Sequence, residues 1–86
     1  MFYKVKEVKP LENYILQIIF ENGTTKYYDV KQLFNKFVIF QSLQNIQNLF
    51  EQVKVDTGGY GIYWNNEIDL SCNELWENGY IHILKV

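Results

Sequence analysis

Residues 14–30, YILQIIFENGTTKYYDV, carry the strongest structural signal in this sequence. In the first half of the stretch, one face is apolar at every second position: Tyr14, Leu16, Ile18 and Phe20. Alternation of this kind is typical of a half-buried β-strand. The dipeptide Asn22-Gly23 follows, and it is the turn most typical of a tight β-hairpin. The stretch therefore predicts two antiparallel strands joined at this turn.

A two-residue turn at Asn22-Gly23 also predicts the register of the hairpin. The residues that it places opposite each other are Phe20 with Thr25, Ile18 with Tyr27, and Leu16 with Asp29. The first two pairs bring apolar surface together, as cross-strand neighbours on one face of a sheet should.

A second hairpin is predicted over residues 52–64. Alternating valines form its first strand, the glycine-rich run 57–61 forms its loop, and residues 62–64 return as the second strand. Ahead of both hairpins, residues 2–9 carry lysines between apolar residues, which is typical of an edge strand that avoids pairing with other molecules. Pro10 is expected to end that strand.

Three short helices are predicted from polar capping residues that precede apolar residues at helical spacing. Their caps are Asp29 with Gln32, Ser42, and Ser71 with Glu74. Their apolar faces contain Leu33, Phe34 and Phe37 in the first helix, Leu43, Ile46, Leu49 and Phe50 in the second, and Leu75 and Trp76 in the third. Gly79 is placed to end the third helix in the left-handed conformation.

Together these elements predict an α+β fold in a single domain, residues 1–86. An antiparallel sheet built from two hairpins, about 14–30 and 52–64, is expected to pack against two or three short helices. The last residues, YIHILKV at 80–86, are apolar enough for a final strand. Because both faces of that strand are largely apolar, we expect it either to form a homodimer or to lie in the middle of the sheet.

Composition excludes several classes of protein. The net charge is −2, and the chain contains eight lysines and no arginine. Because direct nucleic-acid binding relies on clustered positive charge and favours arginine, we expect no direct nucleic-acid partner. No stretch approaches the roughly 18 apolar residues of a membrane span, and the N-terminus does not resemble a signal peptide. These features predict a cytoplasmic protein without a membrane partner.

Candidate catalytic groups are few, and each has a structural explanation. Asp56, Glu67 and Asp69 could act as general acid and base, but a domain of this size has little room for the cleft that such a pair needs. Cys72 with His82 as its base would be a nucleophilic pair, yet no known local signature surrounds them. One histidine and one cysteine cannot form a structural zinc site. We therefore predict no catalytic, cofactor-binding or metal-binding residue.

Two further motifs could bind ligands. Gly58-Gly59-Tyr60-Gly61 is similar to a phosphate loop, but a strand rather than a helix is expected to follow it. Aromatic residues on a sheet can stack nucleic-acid bases. The candidates are Tyr27, Tyr28, Tyr60, Tyr63 and Trp64. Core packing is the favoured role for most of them, because interleaved basic residues are sparse.

The order of these elements resembles the small bacterial proteins called Domain of Unknown Function 2442, over about residues 3–79. The most specific part is Trp64-x-x-x-x-Asp69-Leu70, followed by Leu75 and a glycine. The hairpin sequence FENG supports the resemblance. It implies an α+β fold, and it lends no catalytic residue because no enzymatic activity is established for the family.

The resemblance makes Trp64, Asp69 and Leu70 the candidate interaction residues. The chain departs from the family pattern at Glu67 and Ile68, where members commonly carry a glycine and a small residue, and this bears on the local turn geometry. Standalone members look like partners of a neighbouring small protein, of the Domain of Unknown Function 4160 type, in an arrangement similar to toxin–antitoxin pairs.

Two functions follow as hypotheses. The first is a small non-catalytic protein-interaction module, the antitoxin-like or accessory half of a gene pair. The alternative is a small-molecule-binding protein or cryptic enzyme that uses the segment from Trp64 to Asp69. An interaction module should expose an apolar patch, whereas an enzyme needs a pocket with converging polar groups.

Overall fold

Two three-stranded antiparallel sheets form the frame of the fold in a computed structural model, which describes residues 2–82. The first sheet contains β1 (Val5–Pro10), β2 (Ile15–Phe20) and β3 (Thr25–Asp29), in that order. The second contains β4 (Lys54–Val55), β5 (Gly61–Tyr63) and β6 (Asp69–Ser71), in that order. The predicted α+β class and both hairpins are confirmed, with the strands divided between two sheets.

The first hairpin turns through three residues rather than two. Gly23 N–H donates to the Phe20 carbonyl at 2.9 Å, and Phe20 N–H donates to the Thr24 carbonyl at 2.8 Å. Gly23 has a φ of 91°, in the left-handed region. A type I turn followed by a left-handed glycine is the usual three-residue hairpin loop. Gly23 is therefore the third residue of the loop, whereas in a two-residue turn it would be the second.

The longer loop makes the predicted register wrong by one residue. The observed pairs are Ile19 with Thr25, Ile18 with Lys26, and Leu16 with Tyr28. A shift of one residue exchanges the two faces of a strand. Tyr28 rather than Tyr27 is therefore the fully buried tyrosine of β3.

The first two predicted helices are shorter than the apolar pattern suggested. A 3-10 turn, Val30–Leu33, replaces the first, and the Asp29 carboxylate caps it. The second, α1, covers only Ser42–Asn45, and the chain leaves the helix before Asn48, whose φ of 67° is incompatible with continuing it. Leu43, Leu49 and Phe50 of the face predicted for this helix are buried, but Ile46 is exposed.

The third predicted helix forms α2, Cys72–Asn78. The Ser71 hydroxyl caps it by accepting Glu74 N–H at 3.1 Å, as expected. The left-handed cap predicted at Gly79 is wrong, because φ is −85° and ψ is 160° there. A Cβ at Gly79 would lie 2.5 Å from the Leu75 carbonyl oxygen. The position therefore requires glycine for its lack of a side chain.

One hydrophobic core joins the two sheets, the 3-10 turns and α2. The first sheet meets the second where β1 contacts β4 and β5. The residues with no exposed surface lie in β2, β3, the 3-10 turn after β3, and α2. They are Leu16, Ile18, Phe20, Tyr28, Val30 and Leu75.

After α2 the chain returns to the first sheet. Tyr80 and Tyr27 exchange two backbone hydrogen bonds of 2.7 Å at the outer edge of β3. The strand predicted over 80–86 lies largely outside the described residues. The homodimer and the central placement in the sheet both depend on that strand. Those expectations stay predictions.

Candidate functional site

A groove of about 520 Å³ runs beside β6 and α2. One side comes from the segment that follows β3 and carries Lys36, Phe37 and Phe40. The other side comes from β6 and α2 and carries Asp69, Leu70 and Glu74. The groove thus combines aromatic surface with charges of both signs, and two of the family-signature residues line it.

An exposed apolar run lies at the side of this groove. Phe37, Val38 and Ile39 are 54%, 80% and 40% exposed. Single exposed apolar residues are normal on a protein surface, whereas contiguous ones mark interaction sites. The prediction that Phe37 packs on the buried face of a helix is wrong, because the chain leaves the 3-10 turn after Leu33 and carries Phe37 outward. We call residues 37–39 the apolar loop, although its last two residues begin the 3-10 helix Val38–Gln41.

Glu74 is held in place at the groove by two hydrogen bonds. Tyr28 Oη donates to Glu74 Oε2 at 2.8 Å, and Asn78 Nδ2 donates to the same oxygen at 2.9 Å. Glu74 therefore does not complete the predicted capping box with the backbone N–H of Ser71. Burial, followed by the hydrogen bond and charge of Glu74, raises the pKa of Tyr28 far above its ordinary value of 10.0. The phenol accordingly stays protonated and acts as the hydrogen-bond donor to the Glu74 side chain.

The raised pKa of Tyr28 predicts a loss of stability in alkali. The folded state holds the phenolic proton more tightly than the unfolded chain does, so this contribution is complete below pH 10.0 and is lost as the pH rises above it. The free energy of unfolding should fall by about 1.4 kcal/mol per pH unit in that range. Urea denaturation between pH 9 and 12 measures it.

Two variants serve to isolate the effect of Tyr28. In Tyr28→Phe the free energy of unfolding should fall less steeply with pH, because this phenol is absent. Tyr63→Phe removes an exposed phenol and should keep the pH dependence of the wild type. Parallel pH profiles for wild type and Tyr28→Phe would contradict the assignment.

The three signature residues have different surroundings. Trp64 is 5% exposed, and its Nε1–H donates to the Phe50 carbonyl at 3.0 Å. Leu70 is buried in the same core, while Asp69 is exposed on β6. The position of Asp69, two residues before Ser71, predicts that its carboxylate accepts backbone N–H groups where α2 begins. Among the described residues it has no hydrogen-bond partner, and Ser71 caps α2 instead. Asp69 is thus the signature residue that a partner can reach.

The other carboxylates considered from the sequence have turn roles. Asp56 accepts Thr57 N–H at 2.7 Å. Glu67 is exposed, in a turn where Asn65 Oδ1 accepts the N–H of Glu67 at 2.9 Å. Asp56 and Asp69 do line one hollow of about 200 Å³ at the second sheet. Neither is buried.

The remaining candidate groups are not assembled into a site. Cys72 is 2% exposed, and its Sγ donates to Asn73 Oδ1 at 3.9 Å, while His82 is exposed. Within residues 2–82, no group of three acidic, histidine or cysteine side chains could hold a metal ion. The glycine-rich loop leads into β5 and not into a helix, as expected. Of the aromatic candidates, Tyr28 and Trp64 are buried in the core.

Residues 5–80 match the family model described as Protein of unknown function (DUF2442). The chain belongs to this family. The match spans both sheets, α2 and the three signature residues, so the resemblance stated from the sequence is confirmed. No curated protein and no solved structure matches the chain. Over the described part, no helix has the length and apolar character needed to cross a membrane.

In this DUF2442 chain, the sequence did not reveal the side of the groove that the segment after β3 forms. Lys36 and Phe40 had no assigned functional role, and Phe37 was assigned to the core. The signal that could have revealed them is the run of four consecutive apolar residues, Phe37–Phe40. An amphipathic helix interrupts such runs with polar residues, so a surface helix through this run would leave part of it exposed.

Proposed function

We propose that this protein is a small, non-catalytic, cytoplasmic module that binds another protein through the groove and the apolar loop. The observation that carries the proposal is the successive exposure of Phe37, Val38 and Ile39 beside the groove. Contiguous exposed apolar patches mark interaction sites, and aromatic residues are enriched at the buried core of protein interfaces.

The partner proposed is a neighbouring small protein of the Domain of Unknown Function 4160 type, with this chain as the antitoxin-like or accessory half of the pair. Support for this partner comes from the family resemblance alone. The surface is compatible with it in one respect, because the groove offers a mixed apolar and charged lining of the kind found at the core and rim of protein interfaces.

A small-molecule site in the same groove is a second candidate. It is favoured by the side chains of Lys36, Asp69 and Glu74, which line one groove and could orient a charged ligand. The segment from Trp64 to Asp69 supports this candidate only through Asp69, because the indole of Trp64 is occupied in the core. The same holds for a cryptic enzyme built on that segment.

Replacing Val38 with lysine tests the interaction role. Val38→Lys should weaken binding of the co-purified partner at least about tenfold, because it places a charge at the centre of the apolar loop. Ile46→Lys is the matched control, since Ile46 is 55% exposed but lines a different hollow. Calorimetric titration measures both affinities, and thermal melts verify that both variants fold.

Equal losses in the two variants, or no binding by the wild-type chain, would contradict the proposed surface. A small molecule that binds the wild type and Val38→Lys equally, with no protein partner bound, would favour the second candidate.

A further inference from the structure

The outer edge of β6 carries backbone groups that have no partner among the described residues. Trp64 N–H donates to the Ile68 carbonyl at 2.9 Å, and Cys72 N–H donates to the Tyr60 carbonyl, just before β5, at 2.8 Å. Backbone groups at every second residue of this segment therefore face β5. In an antiparallel pair, the residues between them face the opposite way. The N–H and C=O of Asp69 and the N–H of Ser71 thus point outward from the sheet.

This free edge borders the groove, whose other side carries Phe37 and Phe40. Because a strand rises about 3.3 Å per residue, an extended segment of a few residues can run beside β6. The three other described edges are less available, and that of β4 lies in contact with β1. Tyr80 already pairs with the β3 edge, while β1 carries exposed lysines and ends in Pro10, features that discourage pairing.

We infer that the edge of β6 receives an extended segment of the protein partner by β-strand addition, with a basic residue opposite Asp69 and an apolar residue on each side of it. The inference rests on the proposed interaction role and specifies how the partner is bound. β-Strand addition obtains its affinity from main-chain hydrogen bonds and its specificity from alternate side chains.

The side-chain pattern follows from the geometry of an antiparallel pair. The residue opposite Asp69 exchanges both backbone hydrogen bonds with it, and the two side chains lie on the same face. Since the Asp69 carboxylate is exposed, a lysine or arginine there forms a cross-strand charge pair. The neighbours of that basic residue point to the other face of β6, where Leu70 enters the core and Phe40 lines the groove. Apolar side chains match that face.

The charges of the groove favour the same occupant. Its lining contains the carboxylates of Asp69 and Glu74 against the single ammonium of Lys36, and the whole chain carries a net charge of −2. Complementary charge speeds association and selects among partners. A basic segment is therefore preferred over an acidic one.

A peptide titration of the full chain, labelled with ¹⁵N, tests the inference. The probe is the acetylated and amidated peptide Thr-Ile-Lys-Val-Thr, and the control is the same peptide with Glu in place of Lys. The lysine peptide should shift the amide resonances of Asp69 and Ser71 to saturation, and the Glu peptide should bind at least about fivefold more weakly.

Two variants of Ser71 isolate one main-chain hydrogen bond. Ser71→Pro removes the N–H and suits the φ of −74° at this position, whereas Ser71→Ala removes only the capping hydroxyl. The lysine peptide should bind Ser71→Pro about fivefold more weakly than Ser71→Ala. Should Ser71→Pro fail to fold, a peptide methylated on the backbone nitrogen of its lysine tests the pairing from the other side, because it cannot donate to the Asp69 carbonyl.

Each contrary result has a definite meaning. Equal affinity for the two peptides, or unshifted Asp69 and Ser71 amides at saturation, would overturn strand addition. If the partner protein binds Ser71→Pro and Ser71→Ala equally well but is lost in Val38→Lys, strand addition is wrong and the interaction role stands. Concentration-dependent shifts of these amides without peptide would assign the edge to a second copy of the chain and overturn the inference as well.

Discussion

Replacing Trp64 with alanine should lower the free energy of unfolding by about 3–5 kcal/mol, the usual cost of truncating a buried aromatic residue. The indole is 5% exposed and packs against the rings of Phe40 and Phe50 at centroid distances of 6.1 and 6.3 Å. It also donates to the Phe50 carbonyl, which would lose its partner. Because small domains are stable by only about 5–15 kcal/mol, Trp64→Ala should be close to unfolded at 37 °C.

Trp64→Phe is the matched control for the hydrogen bond. It keeps an aromatic ring in the core but removes the N–H donor, so it should lose less, about 1–3 kcal/mol. Urea denaturation followed by circular dichroism gives both values. If Trp64→Ala were as stable as the wild type but no longer bound the partner, Trp64 would be an interaction residue rather than a core residue.

Replacing Gly59 with alanine should destabilise the protein by about 3 kcal/mol, through two effects. Gly59 has a φ of 80°, which a residue with a side chain adopts only with strain. A Cβ there would also lie 2.6 Å from the Val5 carbonyl oxygen, so the loop between β4 and β5 would have to move away from β1. For a domain of this size, the thermal midpoint should fall on the order of 15 °C.

Gly23→Ala separates these two effects. Gly23 has a similar φ of 91°, but a Cβ there would meet nothing within 4 Å. Only the backbone strain remains, and it should cost about 1–2 kcal/mol. Thermal melts of the two variants provide the comparison. An equal loss in both would show that the contact with Val5 carries no cost, and that the approach of the loop to β1 is not a constraint on the fold.

Local chemistry made several features of this protein predictable from its sequence. Asn22-Gly23 located the first turn, and Ser71 located the start of α2. Each depends on residues within a few positions of one another. The same is true of the alternation in β2, which together with the turn predicted the first hairpin.

Register and helix length were not determined in this way. Asn-Gly is compatible with a two-residue or a three-residue loop, and the choice between them depends on which tyrosine of β3 the core accepts. The core accepts Tyr28, whose hydroxyl meets Glu74, a residue forty-six positions away. The second helix stops after one turn although its apolar spacing continues, because the backbone becomes extended at Ile46, and Leu49 and Phe50 reach the core from outside the helix.

The groove is determined by the tertiary structure alone. Lys36 and Asp69 line it from segments more than thirty residues apart, and no local pattern relates the two. The sequence marked Asp69 as a family residue, but its exposure and the outward direction of its backbone depend on how β6 pairs with β5. Local preferences act over a few residues and predict elements, whereas a binding surface arises where packing brings distant elements together.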